Sequence, residues 1–533
     1  MNLLKKHFRS GVVVVVILSF LSTVFISSSG ASTPGELDAS FDTDGKVTTA
    51  IGTNIAEALS VVMDSNGKIV VAGYAYNGSN HDFAVARYNS DGTLDTSFST
   101  DGIVTTPIGT GLDAATSIAI DNSGKIVVAG YVQDGASFPL AVVRYLSDGT
   151  LDTSFGTGGK VTTSVGVGLT YAFGIVIDSN GKIVVAGSSE NAFNEDITVV
   201  RYNSDGDLDT TFSADGIVTT SGIGGDSDQA RALAIDANGK IVIAGHSSNG
   251  VDFDFAAARY NSDGTLDTSF GIGGIVTTPV GVGMDFGQSL AIDGSGKIVV
   301  AGYSNNGTDY DFAVVRYNSN GTLDSSFGTL GKVTTAIGTD SELAFDVAID
   351  GNGKIVVAGY SIFATIEDIA VVRYNSNGTL DSSFGTGGKL TTDIGGGSDQ
   401  ARSLTIDSNG KIVVVGSSQT GFIYKFAVMR YNVLDSAAIA AEAARVAAAA
   451  EAARVAAAAE AARAAIAAEA AKKAQEQKEL LAILGLLPPI GGISVDIGNL
   501  ANTLLFKQKC VKGKTIKYVK KGSLCPKGYV KKK

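Results

Sequence analysis

GKIVVAGY at residues 67–74, DFAVARYNSDGTLDTSF at 82–98 and GIVTT at 102–106 make one unit of the pattern that decides the fold. Variants of GKIVVAG begin at Gly67, Gly124, Gly181, Gly239, Gly296, Gly353 and Gly410, each 57 or 58 residues after the last. Self-similarity at a fixed period of this length marks a repeat architecture, so each unit is read as one supersecondary element. In the first unit, residues 60–63 are apolar and lead into Asp64-Ser65-Asn66-Gly67. Asn-Gly suits the two positive-φ positions of a type I′ turn, which predicts a hairpin. Residues 68–73 follow as a second strand whose unbroken apolar run implies burial on both faces. Residues 83–88 make the third strand, and after a turn-rich connector at 89–102 residues 103–106 make the fourth.

A four-stranded meander of this size cannot bury both faces alone, so its neighbours must stack on it. The ends of the array choose between an open stack and a ring. A lone fourth strand at residues 46–49 precedes the first full unit, and the last unit stops after its third strand at Tyr431. The early strand fits that vacancy, which closes the ring and removes exposed edges. The expected fold is all-β: a seven-bladed β-propeller of four-stranded antiparallel blades closed by the N-terminal strand, then a long Ala-rich α-helix and a small basic tail. The quoted motifs resemble the delta-60 repeat, a family of secreted or surface-associated bacterial β-propeller proteins, over residues 35–434. That resemblance implies architecture and location more than activity.

Charge is unevenly spread. The chain carries a formal net charge of −12, yet residues 507–533 hold eleven Lys and no acid, leaving about −23 on the rest. An acidic body with a basic tail argues against nucleic acid as a partner of the body. At the N-terminus, Lys5, Lys6 and Arg9 precede an apolar run at 12–26, and Ser29-Gly30-Ala31 offers a cleavage site. Residues 1–31 are therefore read as a signal peptide, and the protein as secreted or displayed at the cell surface. An uncleaved anchor is the alternative, disfavoured by the small-residue exit of the run.

The propeller is expected over residues 32–435, an Ala-rich helical stalk over 436–485, an apolar Gly- and Pro-containing linker over 486–506 and a Lys-rich Cys-pair tail over 507–533. Alanine has the best helix propensity, and Glu451 with Arg454 and Glu460 with Arg463 form supporting i,i+3 pairs. The helix would extend roughly 70 Å. Ile439 and Val446 fall on one side, and Val455 and Ile466 on the other, so a heptad seam is absent. A solitary spacer is expected, with an Ala-based coiled-coil pair as the alternative. Pro488-Pro489, Gly491, Gly492 and Asp496 make the linker a poor membrane span. Cys510 and Cys525 are the only cysteines, and in an exported chain they read as a disulfide. This segment resembles the small Cys-paired, Lys-rich C-terminal tails of some exported bacterial proteins. Its lysines would be drawn to anionic cell-envelope polymer or lipid, a solubilising tail being the plainer alternative.

Catalytic chemistry finds little support. His7 lies in the signal segment, His81 in a variable loop, and His246 just past a second strand, so all three are expected as exposed histidines without a triad. No catalytic residue, cofactor or metal site is expected. Arg87, Arg144, Arg201, Arg259, Arg316, Arg373 and Arg430 occur once per blade. So do Asp95, Asp152, Asp209, Asp267, Asp324, Asp381 and their N-terminal counterpart Asp38. Identical use in every blade predicts structural pairing or capping of the long connector. Calcium is the alternative for Asn89-x-Asp91-Gly92-x-x-Asp95, but the distal Glu of an EF-hand is missing, and Asn320 and Asn377 replace the equivalent of Asp91. Asx turns account for these residues without an ion.

Loops after strands two and four share one propeller face, and they differ from blade to blade. That face carries Tyr74, Tyr76, Tyr131, Phe138, Phe193, Phe253, Tyr303, Tyr310, Phe363 and Tyr424, the residues expected to contact a ligand, with neutral drift as the alternative. Glu57, Asp113, Asp228, Asp285, Glu342 and Asp399 follow the fourth strands and would form an acidic ring if they approach the axis. The expected function is a non-catalytic exported scaffold for protein or polysaccharide recognition. The alternative is a polysaccharide hydrolase or lyase with its site in the axial channel, which His, Glu or Arg peculiar to one or two blades would support.

Overall fold

The computed structural model describes residues 34–166, 168–191, 194–225, 227–433, 436–485, 507–512, 515–520 and 524–531. The expected signal peptide, the linker at 486–506 and Phe193 lie outside these residues.

Seven four-stranded antiparallel sheets form the propeller. In blade 1 the strands are Ala56–Met63, Ile69–Tyr76, His81–Tyr88 and Ile103–Thr106. The first three run further toward the variable face than their apolar cores suggested, because cross-strand pairing continues past the hydrophobic residues: Tyr76 still pairs with His81. Blade 7 takes its fourth strand from the N-terminal segment, Lys46–Thr49, which pairs antiparallel with Ile423–Tyr431 in the register Lys46 to Met429 and Thr49 to Phe426. First strands of adjacent blades contact each other around a closed cycle, Asp399–Ile406 against Ala56–Met63 included.

The core lies between blades. Buried apolar residues fall into seven clusters, each shared by two adjacent blades, so no sheet is stable by itself. The seam cluster joins Val413, Val415, Phe426 and Val428 of blade 7 to Ile69, Val71 and Tyr88 of blade 1. Tyrosine hydroxyls tie the same junctions. Tyr88 donates to Thr49 Oγ1 at 2.8 Å and Tyr145 to Thr106 Oγ1 at 2.8 Å, each crossing to the fourth strand of the preceding blade.

Two backbone details explain the repeated glycines. The first hairpin is a type I turn closed by a left-handed glycine rather than the type I′ turn expected: Gly67 has φ of 76°, while Asn66 stays in the ordinary region. Asp64 causes the difference, since its Oδ1 accepts the N–H groups of Asn66 at 2.8 Å and Lys68 at 2.9 Å. The glycine ending GKIVVAG has another role. A Cβ on Gly73 would sit 1.9 Å from the Glu57 carbonyl oxygen, because the first strand bulges between Ala58 and Ser60 and presses on it. That bulge recurs in every first strand, for example between Ala230 and Ala232 and between Ala401 and Ser403.

A second, C-terminal unit follows the propeller in sequence. Its helix spans Ser436–Gly485, 50 residues or about 75 Å. No described helix is long and apolar enough to cross a membrane. A three-stranded sheet of Lys507–Lys512, Thr515–Lys520 and Val530–Lys531 follows, and Cys510 and Cys525 form a disulfide across a Cα separation of 5.7 Å.

Candidate functional site

The once-per-blade charges form a buried latch. Arg87 Nε meets Asp95 Oδ2 at 2.6 Å, Lys68 of the second strand reaches the same oxygen at 2.5 Å, and Asp95 Oδ1 accepts the Ser97 N–H. Arg87 Nη1 continues to the Ser147 carbonyl of the next blade at 2.5 Å, and its guanidinium lies 4.8 Å from the centre of the Phe98 ring. Arg144 with Asp152, Arg201 with Asp209, Arg259 with Asp267 and Arg316 with Asp324 repeat this. Arg430 closes the ring on Asp38 at 2.7 Å, with Lys411 at 2.5 Å and Phe41 beneath. Burial alone would raise the Asp38 carboxyl, but bonds from Lys411 and Ser40 and the Arg430 charge bring it down to about 2. Blade 6 departs from the pattern. Arg373 turns to Asp350 and reaches Asp381 at 3.3 Å, and its Nη1 meets the Val433 carbonyl, which stands in place of the repeated serine carbonyl, only at 3.4 Å.

Bulged residues of the first strands surround a cavity of about 240 Å³ lined by all seven blades, which is the axial channel. Larger grooves of about 620 and 340 Å³ lie between the turns of blades 1 and 2 and of blades 3 and 4. Their recurrence marks them as products of the repeat. The axial cavity is individual. Leu59, Thr116, Phe173, Arg231, Gln288, Phe345 and Arg402 occupy equivalent bulge positions in blades 1 to 7.

The two arginines come from blades 4 and 7, on opposite sides of the axis. Each follows the same sequence, Asp-Gln-Ala-Arg, at 228–231 and 399–402. Arg231 lies 4.2 Å from the centre of the Phe173 ring, and Arg402 lies 4.5 Å from that of Phe345. Among the described residues, neither comes within 4.0 Å of a carboxylate oxygen, and the Nε of each is buried without a hydrogen-bond partner. Arg402 Nη2 donates to Gln400 Oε1 at 2.5 Å. These are cations held on aromatic faces without a contact ion pair; Glu195, bonded to Gln229, acts on Arg231 from further away, and the buried Asp346 lines the same cavity.

Aromatic rings line the mouth above them. Tyr131 and Tyr171 lie 5.1 Å apart, Phe286 and Tyr303 5.1 Å, Tyr303 and Phe345 6.3 Å, and Phe345 and Tyr360 5.5 Å. Of the residues singled out in sequence, Tyr74, Tyr131 and Tyr303 belong to this rim, and burial raises the hydroxyl pKa of all three. The Glu57 charge adds to the effect at Tyr74. Phe138 packs on Tyr131 and Tyr171, Phe253 on His246 and Phe286, and Tyr310 on Tyr303. Tyr76 packs on His81, away from the axis, while Phe363 is 68% exposed at a hairpin tip and Tyr424 pairs along the hairpin edge.

Three expectations are corrected. Asp113, Asp228, Asp285, Glu342 and Asp399 are at most 1% exposed and sit inside the blade junctions, while Glu57 stands one position further along its strand, half-buried and paired with Tyr74, so the six form no acidic axial ring. Asp113 shows the cause, its Oδ2 accepting the N–H groups of Ile108 and Gly109 in the loop it closes. His246 is not an exposed loop residue but a second-strand residue, 2% exposed between Phe253 and Phe286. Burial and the nearby Arg231 charge push its pKa down to about 3. His81 opens a third strand and packs against Tyr74 and Tyr76. Sequence reading missed Arg231 and Arg402, although the shared Asp-Gln-Ala-Arg run, breaking an otherwise uniform repeat, was a usable signal.

Ring, latch and axial cavity define a seven-bladed β-propeller repeat protein. Six of its units, residues 65–98, 122–155, 179–212, 237–270, 294–327 and 351–384, match a β-propeller family described as a domain of unknown function, DUF5122. Those segments contain the Arg–Asp latch and exclude the first strands, so the match speaks to architecture rather than to the axial residues. No curated protein matches the chain in sequence. Among solved structures, virginiamycin B lyase from Staphylococcus aureus is 11% identical with a TM-score of 0.39, the match covering 72% of this chain and 98% of that one. Polysaccharide lyase Uly1 is 11% identical at a TM-score of 0.40, covering 72% and 92%. Sqt1 from Chaetomium thermophilum is 10% identical at 0.37, covering 72% and 100%. Likeness at this level carries no argument about activity.

Proposed function

We propose that the protein is a non-catalytic recognition module, exported and displayed by its helix and basic tail, that binds an acidic polysaccharide at the axial mouth. The observation that carries this reading is the pair Arg231 and Arg402, two guanidinium groups stacked on Phe173 and Phe345 with no carboxylate oxygen within 4.0 Å among the described residues. A carboxylate is the ligand group that a guanidinium fork recognises best. Tyr74, Tyr131 and Tyr303, each half-buried at the rim, offer aromatic surface for sugar rings around that charge.

Arginines peculiar to two blades also suit a lyase or hydrolase, the second reading. General acid–base work further needs a side chain titrating near neutral pH. Around the cavity, His246 is pushed down to about 3, Tyr74 and Tyr303 are held above the ordinary tyrosine value, and the Asp346 carboxyl, raised by burial, has both oxygens taken up by the Ser289 and Ser403 hydroxyls and the N–H groups of Val347 and Leu404. Binding is therefore the better fit. The test is calorimetry with polygalacturonate and with a neutral glucan, on the wild type and on Arg231→Gln/Arg402→Gln. The expected result is binding of the acidic polymer alone, abolished in the double variant. Equal binding of both polymers, or shortening of the acidic polymer on incubation, would overturn the proposal.

A further inference from the structure

Each axial arginine belongs to a set of four residues, and the set occurs twice. Where blade 3 meets blade 4 it is Glu195, Phe173, Gln229 and Arg231; where blade 6 meets blade 7 it is Glu367, Phe345, Gln400 and Arg402. The Glu stands six residues before the latch Arg of its blade, the Phe and the Arg at the bulges of neighbouring first strands, and the Gln two residues before that Arg. At the other five junctions none of these four positions carries the same residue type. The repeat thus departs from itself twice, in the same four places, three blades apart. Demands of the fold act on every blade alike, so a change made jointly at two junctions serves a site rather than the blades.

The contacts repeat with the residues. Gln229 Nε2 donates to Glu195 Oε2 across the blade boundary, and Gln400 Nε2 donates to Glu367 Oε2 at 2.6 Å. Each arginine rests on the phenylalanine of the preceding blade. The glutamate therefore fixes the glutamine, and it makes no contact ion pair with the arginine; its Oε1 keeps no hydrogen bond among the described residues. Three groups of the two sets are buried with bonds unmade: Nε of Arg231, Nε of Arg402 and Oε1 of Gln229. A buried polar group without a partner is destabilising, and a polar ligand relieves it. Both guanidinium groups line the same cavity of about 240 Å³, so a ligand seated there meets both.

We infer that the axial site consists of two equivalent subsites, each taking one uronate residue, and that its ligand is a short oligouronate with two carboxylates engaged at once. This rests on the acidic-polysaccharide reading above and adds the number of charged groups the ligand must carry. The guanidinium fork takes the carboxylate. The glutamate Oε1 accepts the sugar hydroxyls, as an ionised carboxylate can only accept. One arginine would serve any single anion, whereas two matched sets call for two matched groups on one molecule. Linking them makes the second contact intramolecular and raises affinity well above that of either subsite.

The experiment is calorimetric titration of the full chain with galacturonate, digalacturonate, trigalacturonate and polygalacturonate. Wild type is compared with Arg231→Gln, Arg402→Gln, Glu195→Gln and Glu367→Gln, each checked for folding by thermal melting. The expected results are one digalacturonate or trigalacturonate per chain, a monomer bound at least about tenfold more weakly, and a loss of about tenfold or more for the oligomer in either arginine variant. Each glutamate variant should weaken the oligomer too. Equal affinity for monomer and oligomers would overturn the inference, as would a loss confined to the variants of one junction, or binding of the polymer without either oligomer; the recognition of acidic polysaccharide would survive all three. If wild type binds none of the four, both fall. The length series on wild type is decisive by itself should an arginine variant fail to fold.

Discussion

Replacing Asp38 with alanine tests the ring closure directly. Asp38 lies ahead of the N-terminal strand, yet it completes the latch of blade 7 with Arg430 at 2.7 Å and Lys411 at 2.5 Å. Its N–H also donates to the Arg430 carbonyl at 2.8 Å. The Arg430 side chain is 8% exposed, so removing its partner leaves a buried cation uncompensated, a loss of about 3–5 kcal/mol for such pairs. The carboxyl gives an independent measure. A pKa lowered from 3.8 to about 2 corresponds to about 2 kcal/mol, reduced somewhat by solvent at the partly exposed Lys411. Urea unfolding of Asp38→Ala followed by circular dichroism should therefore show a loss of about 2–4 kcal/mol, since the segment it releases is the one that closes the ring. Because the folded pKa is depressed, the contribution is present above the unfolded value near 4 and is lost as pH falls toward about 2. The difference between wild type and variant should accordingly narrow on acidification. The double variant Asp38→Ala/Arg430→Met should recover part of the loss, because the stranded charge is gone. A single variant within about 0.5 kcal/mol of wild type at neutral pH would refute both the latch and the closure argument.

Three other perturbations follow from the same contacts. Tyr88→Phe deletes the hydroxyl that meets Thr49 and leaves that buried Thr oxygen unpaired; urea titration should show a loss of about 1–2 kcal/mol. Gly245→Ala would set a Cβ 1.8 Å from the Gln229 carbonyl oxygen, which the bulge cannot relieve without moving blade 4, so the melting temperature should fall by several degrees, about 2–4 °C per kcal/mol lost. Cys510→Ser removes the cross-link over a sequence separation of 15, worth about 3 kcal/mol to the C-terminal sheet. Limited proteolysis should then cut within residues 507–533 while the propeller melts as before.

Much of the architecture was legible because repetition acts as an internal alignment. Arg87 and Asp95, with their six counterparts, were readable as a structural pair since one residue type in one place in every blade serves the blade. The vacancy after Tyr431 located the closing strand for the same reason. Arg231 and Arg402 were harder. Which first-strand residue faces the axis is set by the bulge, and a one-residue slip turns each side chain to the opposite face. The junction acids illustrate the same gap. From sequence they could be placed after the fourth strands, but not inside the junction between them. His246 was misplaced because the hairpin runs on past its apolar core, and polar residues there are sheltered by rings from the next blade, such as Phe286.

Period, strand order, blade number and the origin of the closing strand were determined by the amino-acid sequence alone, because each depends on local pattern and chain count. The positions of Arg231 across from Arg402 and of Tyr88 on Thr49 were decided only by the closed ring. Those partners come from different blades. What brings them together is the angle between stacked sheets and the shift at each bulge, and both arise only when every sheet has found its two neighbours.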